Sequence, residues 1–188
     1  EAWVYSWPAN KRRTLAAPFP SSQSRAFLHN FLFIFPGIRE EQLVINVLIV
    51  DDDAMVADLN RCYIERVDGF ACIGIASTLQ QAKDNVLDRA QPIDLILLDV
   101  YMQQDSGLDL LPVVRNSGRA IDVIMISSAS DAATVQTSMR YGVVDYLIKP
   151  FQFPRFEEAL LSWREKKQLM GSHSYYEQAD VDRLIHGG

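Results

Sequence analysis

The stretch Val44-Ile45-Asn46-Val47-Leu48-Ile49-Val50-Asp51-Asp52-Asp53 places three carboxylates directly after an apolar segment. A second apolar segment, Leu95-Ile96-Leu97-Leu98, is followed by a lone Asp99. Near-continuous apolar runs are typical of strands buried on both faces of a parallel sheet, in which ligands bind beyond the carboxyl ends of the strands. We therefore expect these carboxylates to meet at one edge of a sheet.

Carboxylates crowded at such an edge repel one another unless some are protonated or a cation neutralises them. A set of oxygen ligands suits Mg²⁺ or Mn²⁺. Because Asp51 and Asp52 are adjacent, we assign cation binding to this pair. Asp99 stands alone at the end of the central strand and is the candidate nucleophile.

From Val44 onward, apolar runs alternate with segments of helical periodicity, which is the signature of repeated βα units. Connections of this kind favour right-handed crossovers, so the fold class is α/β with a doubly wound five-stranded parallel sheet and five flanking helices. The predicted strands are residues 45–50, 71–76, 94–98, 123–126 and 144–148.

Helical spacing predicts which side chains face the core. We expect the first helix to bury Met55, Leu59, Cys62, Tyr63 and Val67, and the fourth to be built on Ala132, Val135 and Met139. The last helix is predicted to begin at Pro154 and to bury Phe156, Leu160 and Trp163. Ser77 and Asp131 are the predicted caps of the second and fourth helices, and Pro112 predicts a late start or a kink in the third.

Four of the five strands end in a polar residue that can face one pocket. These residues are Asp51 with Asp52, Asp99, Ser127 and Lys149. The set fits phosphoryl transfer to a carboxylate: Asp99 attacks phosphorus, a metal binds the nonbridging oxygens, and a lysine and a hydroxyl neutralise the remaining charge.

The same residues resemble the receiver domain of two-component response regulators over about residues 45–168. The resemblance is carried by Leu48-Ile49-Val50-Asp51-Asp52, Leu95-Ile96-Leu97-Leu98-Asp99 with Gly107 eight residues later, Ile126-Ser127, and Tyr146-Leu147-Ile148-Lys149-Pro150-Phe151. It implies strand order 2-1-3-4-5 and a switch protein with no enzyme activity beyond Mg²⁺-dependent self-phosphorylation and dephosphorylation. The partner it implies is a sensor histidine kinase, which phosphorylates Asp99.

The resemblance also implies a role for each site residue. The carboxylates of Asp52 and Asp99 and the main-chain carbonyl of Tyr101 would bind Mg²⁺, with Asp51 holding it partly through water. Ser127 and Lys149 would contact the phosphoryl oxygens. A cis peptide bond is expected before Pro150.

Tyr146 is the expected aromatic partner of Ser127 in a phosphorylation switch. In the family, the hydroxyl moves inward, the ring follows, and the surface formed by the fourth helix, fifth strand and fifth helix changes. This surface is also the expected homodimer interface. The alternative for Tyr146 is an ordinary half-buried sheet aromatic.

The sequence departs from the family pattern beside the phosphoacceptor. Gln103 replaces a usual proline, so the loop after Asp99 is expected to be less rigid. Tyr101 and Ala129 lack a carboxylate that could orient an attacking water. We therefore hypothesise slow self-dephosphorylation, with a phosphoryl lifetime of minutes or longer.

A closer resemblance is to the citrate and C4-dicarboxylate transcriptional regulators. It is carried by Asp131-Ala132-Ala133-Thr134, by residues 141–151 and 155–160, and by Tyr175-Tyr176. In those proteins a helix-turn-helix domain follows. We accordingly predict that residues 169–188 are a linker with a short helix leading to a DNA-binding domain absent from this chain, which alone should not bind its operator.

Composition and charge narrow the alternatives. The chain of 188 residues is 48% hydrophobic and carries a net charge of −6, distributed as +2 over residues 1–43 and −8 over residues 44–188, so the main body is not a nucleic-acid-binding surface. Cys62 and Cys72 lack metal-site spacing and indicate buried thiols in a reducing, cytoplasmic compartment. We predict no membrane span.

Residues 1–43 have no counterpart in the resemblance. Their prolines and serines predict a poorly ordered arm outside the core domain. Glu40-Glu41 could be a translated ribosome-binding site, so that the arm is not native and Val44 is the true start. His29, His173 and His186 lie outside the receiver core and are interpreted as surface residues rather than a phosphohistidine relay.

Two other functions remain open from the residues. A haloacid-dehalogenase-type phosphatase also uses a strand-end Asp, a hydroxyl, a lysine and Mg²⁺, but its Asp-x-Asp-x-Thr motif is missing its threonine in Asp51-Asp52-Asp53-Ala54-Met55. A stand-alone receiver acting through protein contacts alone is the second alternative, with residues 178–186 as a packing or dimer element.

Overall fold

A computed structural model describes residues 44–103, 105–171 and 175–186, with the main chain alone at residues 183, 184 and 186. The expectations for residues 1–43, and those for His29, His173 and the side chain of His186, lie outside the described residues.

Five parallel strands form one sheet in the order β2-β1-β3-β4-β5, which confirms the predicted architecture. The strands are β1 (Ile45–Val50), β2 (Phe70–Ala76), β3 (Leu95–Leu98), β4 (Asp122–Ser127) and β5 (Asp145–Ile148). The central position of β3 follows from this order, and it places the end of β3 between the ends of β1 and β4.

In the described part of the chain, five α-helices flank the sheet and a sixth follows them. They are α1 (Ala54–Glu65), α2 (Leu79–Leu87), α3 (Leu110–Asn116), α4 (Ala132–Arg140), α5 (Phe153–Gly171) and α6 (Gln178–His186). The apolar core forms two clusters, because successive residues of β1 point to opposite faces of the sheet. Leu48 and Val50 pack with α2 and α3, whereas Val47 and Ile49 pack with α1 and α5.

The predicted inner face of α1 is wrong at Met55, Leu59 and Cys62, which are exposed, whereas Val67 is buried as predicted. Met55 and Leu59 are 83% and 51% exposed, and the buried residues of α1 are Ala57, Asn60 and Ile64. This set also fits a period of 3.6 residues, so spacing alone could not choose between the two stripes. The strand-to-helix connection sets the phase: the side chain of Asp53 caps α1 by accepting from the main-chain N–H of Met55 at 2.9 Å.

The fourth helix also differs from expectation, since Ala132 and Met139 are exposed and Ser138 is its buried residue. By contrast, α5 buries Phe156, Leu160 and Trp163 as predicted. The side chain of Asp131 caps α4 as expected, accepting from Thr134 N–H at 2.9 Å.

The predicted cap of α2 is displaced by one residue. Thr78 rather than Ser77 caps the helix, and the side chain of Gln81 accepts a hydrogen bond from the main-chain N–H of Ser77 at 3.0 Å. The late start predicted from Pro112 is observed, because a short 3₁₀ turn, Gly107–Asp109, precedes α3.

The turn that leads into α3 passes directly over the end of β3. Gly107 N–H donates to the carbonyl of Val100 at 2.8 Å, and a Cβ added at Gly107 would lie 1.9 Å from the carbonyl oxygen of Asp99. Only glycine allows the two main chains to approach this closely.

We predict that Gly107→Ala lowers the free energy of unfolding by about 2 to 3 kcal/mol, because the loop after Asp99 must move to admit a methyl group. Urea unfolding followed by circular dichroism measures this. Gly171→Ala is the matched control, since an added Cβ there meets no described atom within 4 Å. An equally small effect of both substitutions would show that the contact does not constrain the loop.

Candidate functional site

The carboxylates predicted to meet at the sheet edge are joined by a lysine. Lys149 Nζ donates to Asp99 Oδ2 at 2.7 Å and to Asp51 Oδ2 at 3.2 Å. Asp51 and Asp99 are 3% and 8% exposed. Residues from the ends of β1, β3 and β5 therefore form one buried ionic cluster.

Strand pairing explains why these residues coincide. Val50 of β1 is paired with Leu98 of β3, so the residues that follow, Asp51 and Asp99, leave the sheet at the same level. Hydrogen bonding continues beyond the strands, since Asp99 N–H donates to Val50 O at 2.9 Å and Lys149 N–H donates to Ser127 O at 2.9 Å. The peptide bond between Lys149 and Pro150 is cis, as the family resemblance implied.

Main-chain amides hold the remaining carboxylate oxygens. Asp51 Oδ1 accepts from Asp53 N–H at 2.9 Å, and Asp99 Oδ1 accepts from Tyr101 N–H at 3.1 Å. Both contacts join a side chain to the amide two residues ahead, which is the Asx-turn pattern and could have been anticipated from sequence. Each carboxylate is thus fixed from two sides.

Asp52 lies at the rim of the site. It is half-buried, and its Oδ2 accepts from Gln103 N–H at 3.0 Å. A shallow open pocket lined by Asp52, Asp53, Tyr101, Met102 and Gln103 lies beside it. The contact to Gln103 joins residues 51 positions apart, and no local sequence signal identifies it.

Ser127 and Tyr146 are linked through one residue. Ser127 is fully buried, and its Oγ accepts from Ala129 N–H at 3.2 Å. The hydroxyl of Tyr146 donates to Ala129 O at 2.7 Å. Burial and the negative charge of Asp131 raise the pKa of Tyr146 above its ordinary value, so the hydroxyl is protonated at neutral pH. The loop before α4 is therefore tied both to Ser127 and to the ring of Tyr146.

The charges of the ionic cluster do not balance, and this affects the pKa values of its members. Burial raises the pKa of Asp51, and this effect outweighs the opposing hydrogen bond from Asp53 N–H and the charge of Lys149. Burial alone would lower the pKa of Lys149, but its contacts with Asp99 and Asp51 outweigh burial, so the net pKa is raised and the ammonium stays charged. One lysine therefore faces more carboxylate than it can neutralise.

The donor atoms fit a hard cation. Within the described residues, no three Asp, Glu, His or Cys side chains converge closely enough to hold a metal ion by themselves. Mg²⁺ does not need such a cage, because it retains several waters and is bound through one or two carboxylates. Asp52 and Asp99 supply carboxylates beside the main chain of Tyr101, so the donor set is oxygen-only and suits Mg²⁺.

In the described part of the chain, every helix is too short or too polar to cross a bilayer.

Comparison with known proteins agrees with this geometry. Residues 47–161 match the family model described as response regulator receiver domain. The receiver domain protein (CheY-like) from Methanospirillum hungatei JF-1 has a similar fold, with a TM-score of 0.62 at 21% sequence identity, covering 68% of this chain and 99% of that chain.

Curated relatives are closer in sequence. The transcriptional regulatory protein DcuR of Escherichia coli (strain K12) is 62% identical over 144 residues, covering 77% of this chain and 60% of DcuR. The transcriptional regulatory protein MalR of Bacillus subtilis (strain 168) is 48% identical over 139 residues, covering 74% of this chain and 58% of MalR. The chain thus spans about three fifths of the length of these relatives.

These matches agree with the receiver-domain resemblance found in the sequence. The family model covers more than half of the chain, including the ends of β1, β3, β4 and β5. The chain belongs to the response regulator receiver domain family.

Proposed function

We propose that Asp99 accepts a phosphoryl group from a phosphohistidine of a sensor histidine kinase. The observation that carries this proposal is the position of Asp99. One carboxylate oxygen lies 2.7 Å from Lys149 Nζ and the other accepts from Tyr101 N–H at 3.1 Å. The carboxylate is therefore oriented, and a cation is already in place where negative charge accumulates during transfer.

In this reaction an oxygen of Asp99 forms a bond to phosphorus while the bond between phosphorus and the histidine nitrogen breaks. The nitrogen retains the electron pair, and the group that remains on Asp99 is an acyl phosphate. Lys149 neutralises the incoming phosphoryl oxygens, and the hydroxyl of Ser127 supplies a hydrogen-bond donor. Bound Mg²⁺, held by Asp52, Asp99 and the Tyr101 carbonyl with Asp51 acting partly through water, would supply charge neutralisation at the phosphoryl oxygens.

Phosphorylation would be transmitted through the loop before α4. A new dianion favours a hydroxyl donor that turns toward it, so Ser127 would exchange its bond with Ala129 N–H for one with the phosphoryl group. The hydroxyl of Tyr146 is bound to Ala129 O, so the ring of Tyr146 would move when the loop at Ala129 moves. This gives Ser127 and Tyr146 the role of switch residues.

The full-length protein would regulate transcription in response to C4-dicarboxylates or citrate. The names of the curated relatives support this: DcuR and MalR are transcriptional regulatory proteins, and a relative 36% identical over 142 residues is a probable C4-dicarboxylate response regulator. DNA binding would belong to a domain outside this chain, following residues 169–188 as a linker. We also propose that the protein is cytoplasmic. Its homodimer interface would be the surface formed by α4, β5 and α5.

We predict that Asp99→Asn abolishes Mg²⁺-dependent labelling by radioactive acetyl phosphate, because the substitution removes the attacking oxygen. Asp109→Asn is the matched control, since Asp109 is exposed and its side chain makes no capping hydrogen bond; it should label like the unmodified protein. Labelling that survives in Asp99→Asn would refute the assignment of the phosphoacceptor.

We predict that Asp51→Asn raises the free energy of unfolding at pH 7 in the absence of Mg²⁺. Because the folded-state pKa of Asp51 is raised, its contribution to stability is complete below the unfolded pKa and is lost as pH rises through the folded pKa. The gain from the substitution should therefore be present at pH 7 and vanish near pH 3. Urea unfolding in EDTA at the two pH values measures it; a loss of stability at pH 7 would contradict the prediction.

We predict that the phosphorylated protein loses phosphate over minutes or longer, as expected from Tyr101 and Ala129. Tyr101 is 58% exposed, so it can be replaced without disturbing the core. A carboxylate in Tyr101→Glu can orient an attacking water and should accelerate phosphate release by roughly a hundredfold, the lower end of the usual range of general base catalysis. Tyr101→Gln is the control of similar size without the charge. Loss of phosphate within seconds from the unmodified protein would exclude slow self-dephosphorylation.

A further inference from the structure

Helix α4 differs from the other helices that flank the sheet in how little of it is buried. All nine residues of α4 are described, and Ser138 is the one that is buried. The other four flanking helices each bury three or more residues, and most of these are apolar. Because packing of an apolar face supplies most of the stability of a helix in a protein, α4 depends on contacts at its ends.

The C-terminal end of α4 is closed by its own main chain. Gly142 adopts a positive φ of 73°. Its N–H donates to Met139 O at 2.9 Å, and Val143 N–H donates to Ser138 O at 3.4 Å. This is the arrangement of a Schellman motif, in which the residue after the glycine makes an apolar contact. Val143 is buried and belongs to the apolar cluster that packs with α2 and α3.

A guanidinium from α3 binds the same end. Arg115 Nε donates to Tyr141 O at 2.6 Å and Arg115 Nη2 donates to Gly142 O at 2.7 Å. Arg115 Nη1 donates to Ile121 O at 3.1 Å, directly before β4. The carbonyls of Tyr141 and Gly142 follow α4 and have no hydrogen-bond partner within the helix. A cation at a helix C-terminus is also favoured by the helix dipole. Arg115 therefore joins the end of α4 to the start of β4.

The N-terminal end of α4 is held differently. The side chain of Asp131 caps it by accepting from Thr134 N–H. The loop before it is bound to Ser127 and Tyr146 through the N–H and C=O of Ala129. Hence this end is attached to Ser127 and Tyr146, the proposed switch residues, whereas the opposite end is attached to α3 and the start of β4.

We infer that Arg115 is a positioning residue that fixes the C-terminal end of α4, so that a change at Ser127 and Tyr146 displaces the N-terminal half of the helix about this fixed end. The displacement of the helix rests on the proposed phosphorylation of Asp99, whereas the attachment of its C-terminal end by Arg115 does not. The surface near Ala132 to Gln136 then differs between the two states, and the surface at Tyr141 and Gly142 stays constant. A partner that distinguishes the states must therefore contact the N-terminal half of α4.

Residue-resolved hydrogen exchange of the unphosphorylated protein, measured by NMR, tests the anchor. Removing the guanidinium in Arg115→Gln should accelerate exchange at the amides of Tyr141 and Gly142 by about tenfold or more, as expected for the loss of charge-assisted hydrogen bonds. Arg119→Gln is the matched control. Arg119 Nη1 likewise binds carbonyls at the end of a helix, Val86 O at 2.8 Å and Asp88 O at 3.0 Å, but the helix is α2.

Arg119→Gln should leave exchange at Tyr141 and Gly142 within about twofold of the unmodified protein. Unchanged exchange at these amides in Arg115→Gln, or equal acceleration in both variants, would overturn the anchor. Arg115→Lys keeps the positive charge but cannot span the carbonyls, so it should also accelerate exchange, and it provides the test if the glutamine variant does not fold.

The same measurement with acetyl phosphate and Mg²⁺ tests the movement. In the unmodified protein, exchange at Val135 and Gln136 should change by about fivefold or more while exchange at Tyr141 and Val144 stays within about twofold. In Arg115→Gln the change should extend to the C-terminal end. A uniform change along α4 in the unmodified protein would refute the inference. Failure of Asp99 to become labelled would instead refute the proposed function, and the result of the first measurement would stand.

Discussion

The ion pairs of Lys149 with Asp51 and Asp99, at 3.2 and 2.7 Å, are the contacts on which the arrangement of the candidate site depends. They bring together residues that follow β1, β3 and β5, whose carboxyl ends lie at one edge because the strands are parallel; β1 and β3 are neighbours, and β4 lies between β3 and β5. Two buried carboxylates share one ammonium, and burial raises the pKa of Asp51. Such an arrangement is unfavourable for stability but suits a site that receives a cation and a phosphoryl group.

At the same edge of the sheet, the main-chain N–H and C=O of Ala129 connect Ser127 and Tyr146 to the loop before α4. Ala129 receives the hydroxyl of Tyr146 at its carbonyl and donates its N–H to Ser127, so a change in the hydrogen bonding of Ser127 reaches the loop before α4 directly. Because α4 buries little of its own surface, that loop and the carbonyls bound by Arg115 decide where the helix lies. A well-packed sheet and a weakly packed helix thus differ: the sheet positions Asp51, Asp99 and Lys149, whereas α4 is held mainly by contacts at its ends.

The reliability of sequence interpretation differed between strands and helices. The five strands were found within one or two residues, because buried parallel strands are nearly continuous apolar runs that end at polar residues. In α1, however, Met55 and Leu59 were assigned to the core and are exposed, while Ala57 is buried. Ala57 packs in the cluster that contains Val47 and Ile49 of β1, and a hydrophobicity pattern does not decide which of two stripes with the same period faces the sheet. The cap of α2 is Thr78 and not Ser77, because either hydroxyl can accept a hydrogen bond from a first-turn amide.

By itself, the sequence determined the βα alternation, the residues at the strand ends and the chemistry that those residues can perform. The carboxylates, hydroxyl and lysine follow apolar runs, and parallel strands must deliver their carboxyl ends to one edge. Only the tertiary structure decided the contacts between distant main-chain and side-chain atoms, such as Gln103 N–H with Asp52 and Arg115 with Tyr141 O. An arginine or an amide can bind any carbonyl or carboxylate that comes within reach, so its partner is chosen by the packing of the sheet and helices and not by its neighbours in sequence.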